Sequence, residues 1–254
     1  MRLLLLAVGL SLFVVGDEKL DELKSKLRGN DERAKRSAVQ ELAKLDTTEA
    51  WQLVIGALAD PLPQAADEAQ LAVAAIDDAP ALKLLLGKDG FESKDAYVRM
   101  RVTEAFGRMN APPGIAVFGK ALVDKDAGVR RAAAWSIERE RVAAHFDGPP
   151  PPALLDAFKK DKDGGVRAAA LVALARFDAA QVLLGEAKSD AAYEVRAASV
   201  LADARSASAF ANDRHIGVRI CVAESFAAQK TKPAALALVE LLAGESEACA
   251  RWRM

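Results

Sequence analysis

Apolar side chains recur along this chain at helical spacing, and no stretch alternates with the period of two that is typical of β-strands. Counted from Val166 as position 0, apolar residues stand at positions 0, +3, +4, +7 and +8, which form one stripe of an α-helix. The same slots recur from Val129 and from Val218, filled by different residues of similar size. Small residues at +3 and +4 permit close helix packing. The pattern therefore predicts amphipathic helices that stack on one another.

A Val-Arg dipeptide, or a degenerate form of it, marks each of these helices. The intact pairs begin at Val98, Val129, Val166, Val195 and Val218, and the degenerate pairs begin at Ala34 and Ala65. The steps between successive copies are 31, 33, 31, 37, 29 and 23 residues. A period near thirty residues is typical of a solenoid, in which each unit buries its apolar face against its neighbours.

A second apolar segment follows each Val-Arg helix after a short turn, so each repeat is predicted to be a pair of antiparallel helices. Several of these segments open with Pro, which is well tolerated at the first helical position. The segments cover residues 48–58, 79–86, 112–122, 151–158, 179–184 and 233–242. We therefore predict an all-α fold, a right-handed α-α superhelix of about six to seven helical hairpins.

An Asp stands upstream of the intact Val-Arg pairs, three residues away at Asp95, Asp126 and Asp163. A carboxylate at this place can accept the free N–H groups of the first helical turn, at about 1 kcal/mol per cap. The full pattern Asp-x-Asp-x-x-Val-Arg, at 124–130 and 161–167, resembles the HEAT repeat, and most closely the short variety named after the bilin lyases of phycobiliproteins. The resemblance covers roughly residues 30–245 and is most specific in the third, fourth and fifth copies.

The resemblance implies a ladder of Asp and Arg side chains between successive repeats. It would comprise Asp95, Arg99, Asp126, Arg130, Asp163, Arg167, Arg196 and Arg219. Because single exposed ion pairs contribute only about 0 to 1 kcal/mol, we expect such a ladder to set the register of the repeats more than their stability.

The first residues resemble a secretory signal. Met1-Arg2 is followed by an uncharged segment from Leu3 to Val15, which is shorter than the roughly 20 residues of a transmembrane helix. We expect a signal peptide at 1–16, cleaved after Gly16, and hence an exported chain with no membrane insertion after cleavage. Residues 17–29 are expected to form an N-terminal capping helix closed by Gly29, and 30–254 the repeat domain.

Composition excludes several classes of function. The formal net charge is −1, with 28% charged residues, so the chain has no basic excess for binding nucleic acid. The sequence contains two His, seventy residues apart, and no His-Glu-x-x-His, Cys-x-x-Cys, Gly-x-Ser-x-Gly or phosphate-loop motif. We therefore expect no catalytic residues, no metal, no cofactor and no enzymatic activity.

Two repeats depart from the common length. The step from Val195 to Val218 is short, and Asp203 occupies the +8 slot that is apolar elsewhere, so we expect its second helix to be reduced or missing. The step from Val129 is long, and the extra residues fall around the prolines at 149–152. This stiff segment is either a rigid connection or a binding loop; the candidate loop residues are His145, Phe146, Pro149 and Pro150.

Cys221 and Cys249 are candidates for a disulfide because export would place them in an oxidising compartment. The alternative for Cys221, which occupies a +3 slot, is a small buried core residue. Trp51 and Trp135 are expected to be partly buried packing residues.

These observations predict a monomeric exported scaffold that binds an unidentified protein partner on the concave face of the solenoid. One alternative is an auxiliary subunit or lyase-like enzyme that handles a linear tetrapyrrole, as the relatives implied by the resemblance do. A structural component of the cell envelope is a second alternative.

Overall fold

A computed structural model of the chain describes residues 18–77, 79–110, 112–139, 149–177 and 180–246. Within these ranges the regular structure is helical and no residue lies in a β-strand, so the all-α prediction is confirmed. The expected signal peptide at 1–16 lies outside the described residues.

The helices follow the predicted alternation. The helix that precedes the first repeat, α1, covers 18–28. Seven Val-Arg helices follow: α2 (Glu32–Leu45), α4 (Pro63–Ala74), α6 (Ala96–Phe106), α8 (Ala127–Glu138), α10 (Gly164–Ala175), α12 (Tyr193–Ala202) and α13 (Ile216–Gln229). The second helices are α3 (Thr48–Ala57), α5 (Ala79–Leu86), α7 (Ile115–Ala121), α9 (Pro152–Lys160), α11 (Ala180–Lys188) and α14 (Lys232–Gly244).

Aspartate caps begin four of the Val-Arg helices. Asp126 accepts hydrogen bonds from the N–H groups of Gly128 and Val129, and Asp163 accepts one from Val166. The equivalent caps of α2 and α6 are Asp31 and Asp95. The prediction that these carboxylates mark helix starts is confirmed.

The chain forms two compact units, residues 1–112 and 113–254. In the first unit, α2 packs against α4 and α4 against α6, with α3 beside α2 and α4. In the second unit, α8, α10, α12 and α13 pack in that order, each against the next. The Val-Arg helices thus form a continuous layer within each unit.

Alanine fills much of this layer. In α10, Val166, Ala169, Ala170, Ala173 and Leu174 are fully buried, which are the five positions of the predicted apolar stripe. Because α10 lies between α8 and α12 and also contacts α9, two further residues on its other faces, Ala168 and Leu171, are buried as well. Small side chains let these helices approach closely on several sides.

The shortened repeat contains a 3₁₀-helix, Ala204–Phe210, in place of its second α-helix. Helix α12 ends at Ala202 because Asp203 adopts an extended backbone and its carboxylate caps the N–H of Arg205. The prediction of a reduced second helix is confirmed.

Proline positions shift two helix starts from the predicted segments. Helix α7 begins at Ile115 rather than at Pro112, because a residue that precedes a proline disfavours helical dihedrals. Helix α9 begins at Pro152, after an extended Pro151.

In the described part of the chain, no helix combines the length and the apolar character that crossing a membrane requires.

Candidate functional site

A row of arginine–aspartate pairs joins neighbouring repeats in the second unit. Each arginine stands at position +1 of one repeat, and its partner stands at position −5 of the next; we call each pair a rung. In the rung from Arg196, Nε and Nη2 donate to the two carboxylate oxygens of Asp213 at 2.6 and 2.9 Å. Both side chains are less than a tenth exposed. The three rungs of this form are Arg130 with Asp161, Arg167 with Asp190, and Arg196 with Asp213.

Each rung also binds the backbone of both turns that it joins. Arg167 Nη1 donates to the carbonyls of Asp161 and Lys162 in its own turn, at 2.9 and 3.3 Å. Its partner Asp190 accepts the N–H of Ala192 at 2.8 Å. The rung therefore connects the turn of one repeat to the turn of the next.

The carboxylates of the rungs lie two residues upstream of the aspartates that the resemblance implied. Asp126 and Asp163 face the first turn of their own helices as N-caps, as Asp95 does in the first unit. The structure brings Arg130, Arg167, Arg196 and Arg219 into the row, and Arg99 likewise donates to two carbonyls of its own turn, those of Ser93 and Lys94. The signal for the acidic partners is the Asp that stands five residues before the Val of the next repeat.

Two further ion pairs resemble the rungs but use different residues. Arg219 donates to both carboxylate oxygens of Glu245, at 2.7 and 2.9 Å. In the first unit, Lys35 Nζ lies 2.5 Å from Asp60, and both side chains are about nine-tenths buried. The degenerate Ala34-Lys35 pair therefore keeps the cation of the motif.

Hydrogen bonding sets the charge state of the rungs. Burial alone would raise the pKa of Asp161, Asp190 and Asp213, but the bonds from the arginines and from backbone N–H groups outweigh it, so each pKa is lowered. The same bonds raise the pKa of Arg130, Arg167 and Arg196. The rungs are therefore ion pairs at neutral pH.

The boundary between α4 and α6 has a different polar cluster. The rung positions hold Ala66 and Ser93, and the buried cation is instead Arg101, at position +3, where the repeats of the second unit have Ala or Cys. Arg101 donates to Asp67 and Gln70, while its Nε has no hydrogen-bond partner in the described structure. The sequence pattern gave no signal for this cluster beyond the large residue in a small slot.

His215 replaces the capping aspartate of α13. Its Nδ1 accepts the N–H of Gly217 at 3.2 Å, and its ring stacks on Tyr193 with centroids 3.6 Å apart. The imidazole therefore serves as a helix cap, a role that the spacing of the two His residues does not indicate.

Most of the remaining candidate site residues lie outside the described ranges or at their ends. His145, Phe146 and Cys249 are outside them, while Pro149 and Pro150 precede α9 without forming part of a helix. Cys221 is half-buried on α13, and burial raises the pKa of its thiol. No group of His, Cys, Asp or Glu in the described ranges could hold a metal ion.

The two tryptophans in the described helices differ in exposure. Trp51 is buried and its Nε1 donates to Asp46 at 2.8 Å, as expected for a packing residue. Trp135, at position +6 of α8, is 42% exposed. Its ring therefore faces solvent more than a packing role requires.

Comparison with known proteins identifies the repeats. A family model described as HEAT repeats matches residues 88–175. Among solved structures, the chain is similar to the crystal structure of an engineered protein, at 18% identity and a TM-score of 0.39, over 72% of this chain and 94% of the other. No curated protein matches the chain.

The matched segment contains the third, fourth and fifth copies of the motif, where the pattern is most complete. HEAT repeats form helical scaffolds that typically mediate protein interaction. Residues 88–175 of this chain match the HEAT-repeat model, in agreement with the resemblance that the spacing of Asp, Val and Arg indicates.

Proposed function

We propose that this protein is a non-catalytic, exported scaffold that binds another protein along its stacked helices. The observation that carries the proposal is the layer of Val-Arg helices in HEAT-type repeats, joined by partly buried rungs. Such a layer offers an extended surface whose exposed positions are free to vary, which suits recognition of a partner chain. In a solenoid this contact is expected on the concave face.

Export rests on the signal-like residues 1–16, so the mature chain would begin at Asp17. Amino-terminal sequencing of the protein recovered from the exported fraction tests this part alone. A start at Asp17 would support it, and retention of Met1 in a cytosolic fraction would contradict it.

Partner binding is tested with the chain spanning 17–254. A protein captured from the exported fraction is purified and titrated against it, and we expect saturable binding at defined stoichiometry. A variant with a loosened stack, Arg167→Met, should bind more weakly than Lys160→Met, which removes only an exposed pair. Visible absorbance that copurifies with the chain, with no saturable protein partner, would contradict the scaffold and favour the tetrapyrrole alternative.

A further inference from the structure

The shortened repeat leaves a groove between α12 and α13. Helix α12 ends at Ala202, seven residues after Val195, whereas α13 continues to Gln229, eleven residues after Val218. The last turn of α13 therefore extends past the end of its neighbour. The groove in this place has a volume of about 430 Å³.

Apolar side chains form most of the groove wall. Val200 and Leu201 come from α12, Ala204 from the 3₁₀-helix, and Cys221 and Ala228 from α13. Val200 is fully buried, while Leu201 is 60% exposed. Because burial raises the pKa of Cys221, its thiol stays neutral and adds to the apolar wall.

Exposed apolar residues continue from the groove across the neighbouring helices. Leu201 stands at position +6 of α12, and the same position holds Val172 in α10 and Trp135 in α8. Val172 is half-buried and Trp135 is 42% exposed. Since α8, α10 and α12 pack side by side, these three residues form an apolar row that leads to the groove.

A row of cations follows the ends of the same helices. This basic row consists of Arg139, Arg176, Arg205 and Lys230. Cations at helix C-termini interact favourably with the helix dipole, which accounts for Arg139, Arg176 and Lys230. Arg205 stands instead in the first turn of the 3₁₀-helix. In the described residues, two of them bond to carboxylates, Arg176 to Glu138 and Arg205 to Asp203. Arg176 and Arg205 nevertheless remain 48% and 82% exposed.

The two rows lie within reach of a single ligand, because residues four apart on a helix are neighbours on its surface. Trp135 and Val172 precede Arg139 and Arg176 by four residues. Glu224, on the groove wall, is an acidic group of this surface in addition to Glu138 and Asp203, while Arg139 and Lys230 add two exposed cations. The combination therefore favours a ligand that is apolar on one side and carries carboxylates on the other.

We infer that the groove between α12 and α13 and the adjoining apolar row bind an acidic amphipathic segment of a partner protein. One large apolar side chain of that segment enters the groove, and its carboxylates meet the basic row. This inference rests on the proposed scaffold function and specifies the chemistry of the partner.

Selection from a library of random peptides displayed on phage tests the inference without a known partner. With the chain spanning 17–254 as bait, we expect the enriched peptides to combine Leu, Phe or Trp with several Asp or Glu residues. Binding of a synthetic enriched peptide should weaken as salt is added, because exposed charges are screened. Enrichment of basic peptides would overturn the inference.

Variants locate the binding site. Leu201→Asp should weaken binding of the enriched peptide by about tenfold or more, since buried apolar anchors contribute over 1 kcal/mol. Charge reversal at Arg176 or Arg205 should weaken it by about threefold to tenfold, while Glu224→Gln should strengthen it modestly. The matched control is Leu71→Asp, because Leu71 also stands at position +6 of a Val-Arg helix and is 55% exposed. It should leave binding unchanged.

The outcomes separate the two proposals. Tight peptide binding that Leu201→Asp does not weaken would overturn the groove assignment and leave the scaffold function intact. Self-association of the chain that Leu201→Asp abolishes would assign the groove to a second copy and would also overturn the inference. If the purified partner of the titration fails to bind as well, the scaffold function itself is contradicted.

Discussion

Two contacts between successive Val-Arg helices, which we call joints, differ in their polar groups. One joint lies between α10 and α12, and the other lies between α4 and α6. At the first joint, Arg167 and Asp190 form a bidentate pair on the edge of an alanine-packed layer. At the second joint the rung positions are Ala66 and Ser93, and Arg101 lies buried between the helices. The difference shows that a repeat can lose its rung and keep its place in the stack.

The energetic consequences of the two arrangements differ. Arg167 satisfies its donors on a carboxylate and on two carbonyls. Arg101 leaves its Nε without a partner in the described structure, and its carboxylate Asp67 is 63% exposed. Since removal of a partner costs most when the group left behind is buried, the rung should matter more to stability than the Arg101 cluster.

Lowering the pH should give the largest difference in stability between the two joints, because it protonates the carboxylates of three rungs at once. The pKa values of Asp161, Asp190 and Asp213 are lower in the folded chain, so their stabilisation is complete above the ordinary carboxyl pKa of about 3.9 and is lost as pH falls through the folded values. As the pH falls, the backbone amides of α10 and α12 should lose protection from hydrogen exchange before those of α4. The exchange rates are corrected for their intrinsic pH dependence. Earlier loss in α4 would contradict the expected contrast.

Arg167→Met should lower the free energy of unfolding by about 3 kcal/mol, because it leaves the carboxylate of Asp190 poorly hydrated and unpaired. Urea denaturation measures the change. Lys160→Met, which removes an exposed pair with Asp156 in the same unit, serves as the control and should cost less than about 0.5 kcal/mol. Equal effects of the two substitutions would show that the rung contributes only as a surface pair.

Transplanting a rung into the other joint should give a smaller effect. Ala66 is fully buried, so Ala66→Arg alone should destabilise the chain. Adding Ser93→Asp should recover about 1 to 2 kcal/mol beyond the sum of the single changes. A double-mutant cycle in urea measures this coupling, and strictly additive effects would mean that the α4–α6 joint cannot accept the rung geometry.

Arg101→Met should have the smallest effect, a loss of about 1 kcal/mol or less, because Asp67 can rehydrate. Gln70 would keep its bonds to the Arg101 carbonyl, which the substitution retains, and to Glu104. A loss near that of Arg167→Met in the same urea assay would show that the cluster replaces the missing rung in energy as well as in position.

Sequence periodicity predicts the repeats well because two patterns agree. The helical spacing of apolar residues and the recurrence of Val-Arg indicate the same helices. Amphipathic spacing predicts the apolar positions of α10, and the capping preference of Asp predicts the aspartate caps. The Asp in an apolar slot predicts that the second α-helix after α12 is missing. These features depend on residues that are close in the sequence.

Features that join repeats are harder to predict from one sequence. Asp161 and Asp163 both precede Val166, and nothing in their spacing says which carboxylate caps the helix and which pairs with the arginine of a neighbouring turn. The Arg101 cluster and the groove beside Leu201 depend on which helices pack together and where each one ends. Only the three-dimensional arrangement supplies that information.

The direction of the rungs has a consequence for how such a chain changes in length. Each internal repeat with a full motif gives a guanidinium to the repeat after it and a carboxylate to the repeat before it. Duplication or deletion of one such module brings a new donor beside an equivalent acceptor, without any compensating substitution. The steps of 37, 29 and 23 residues across the second unit show that the modules tolerate loops and truncations between these contacts. Gain or loss of whole modules is therefore an accessible evolutionary route for this architecture.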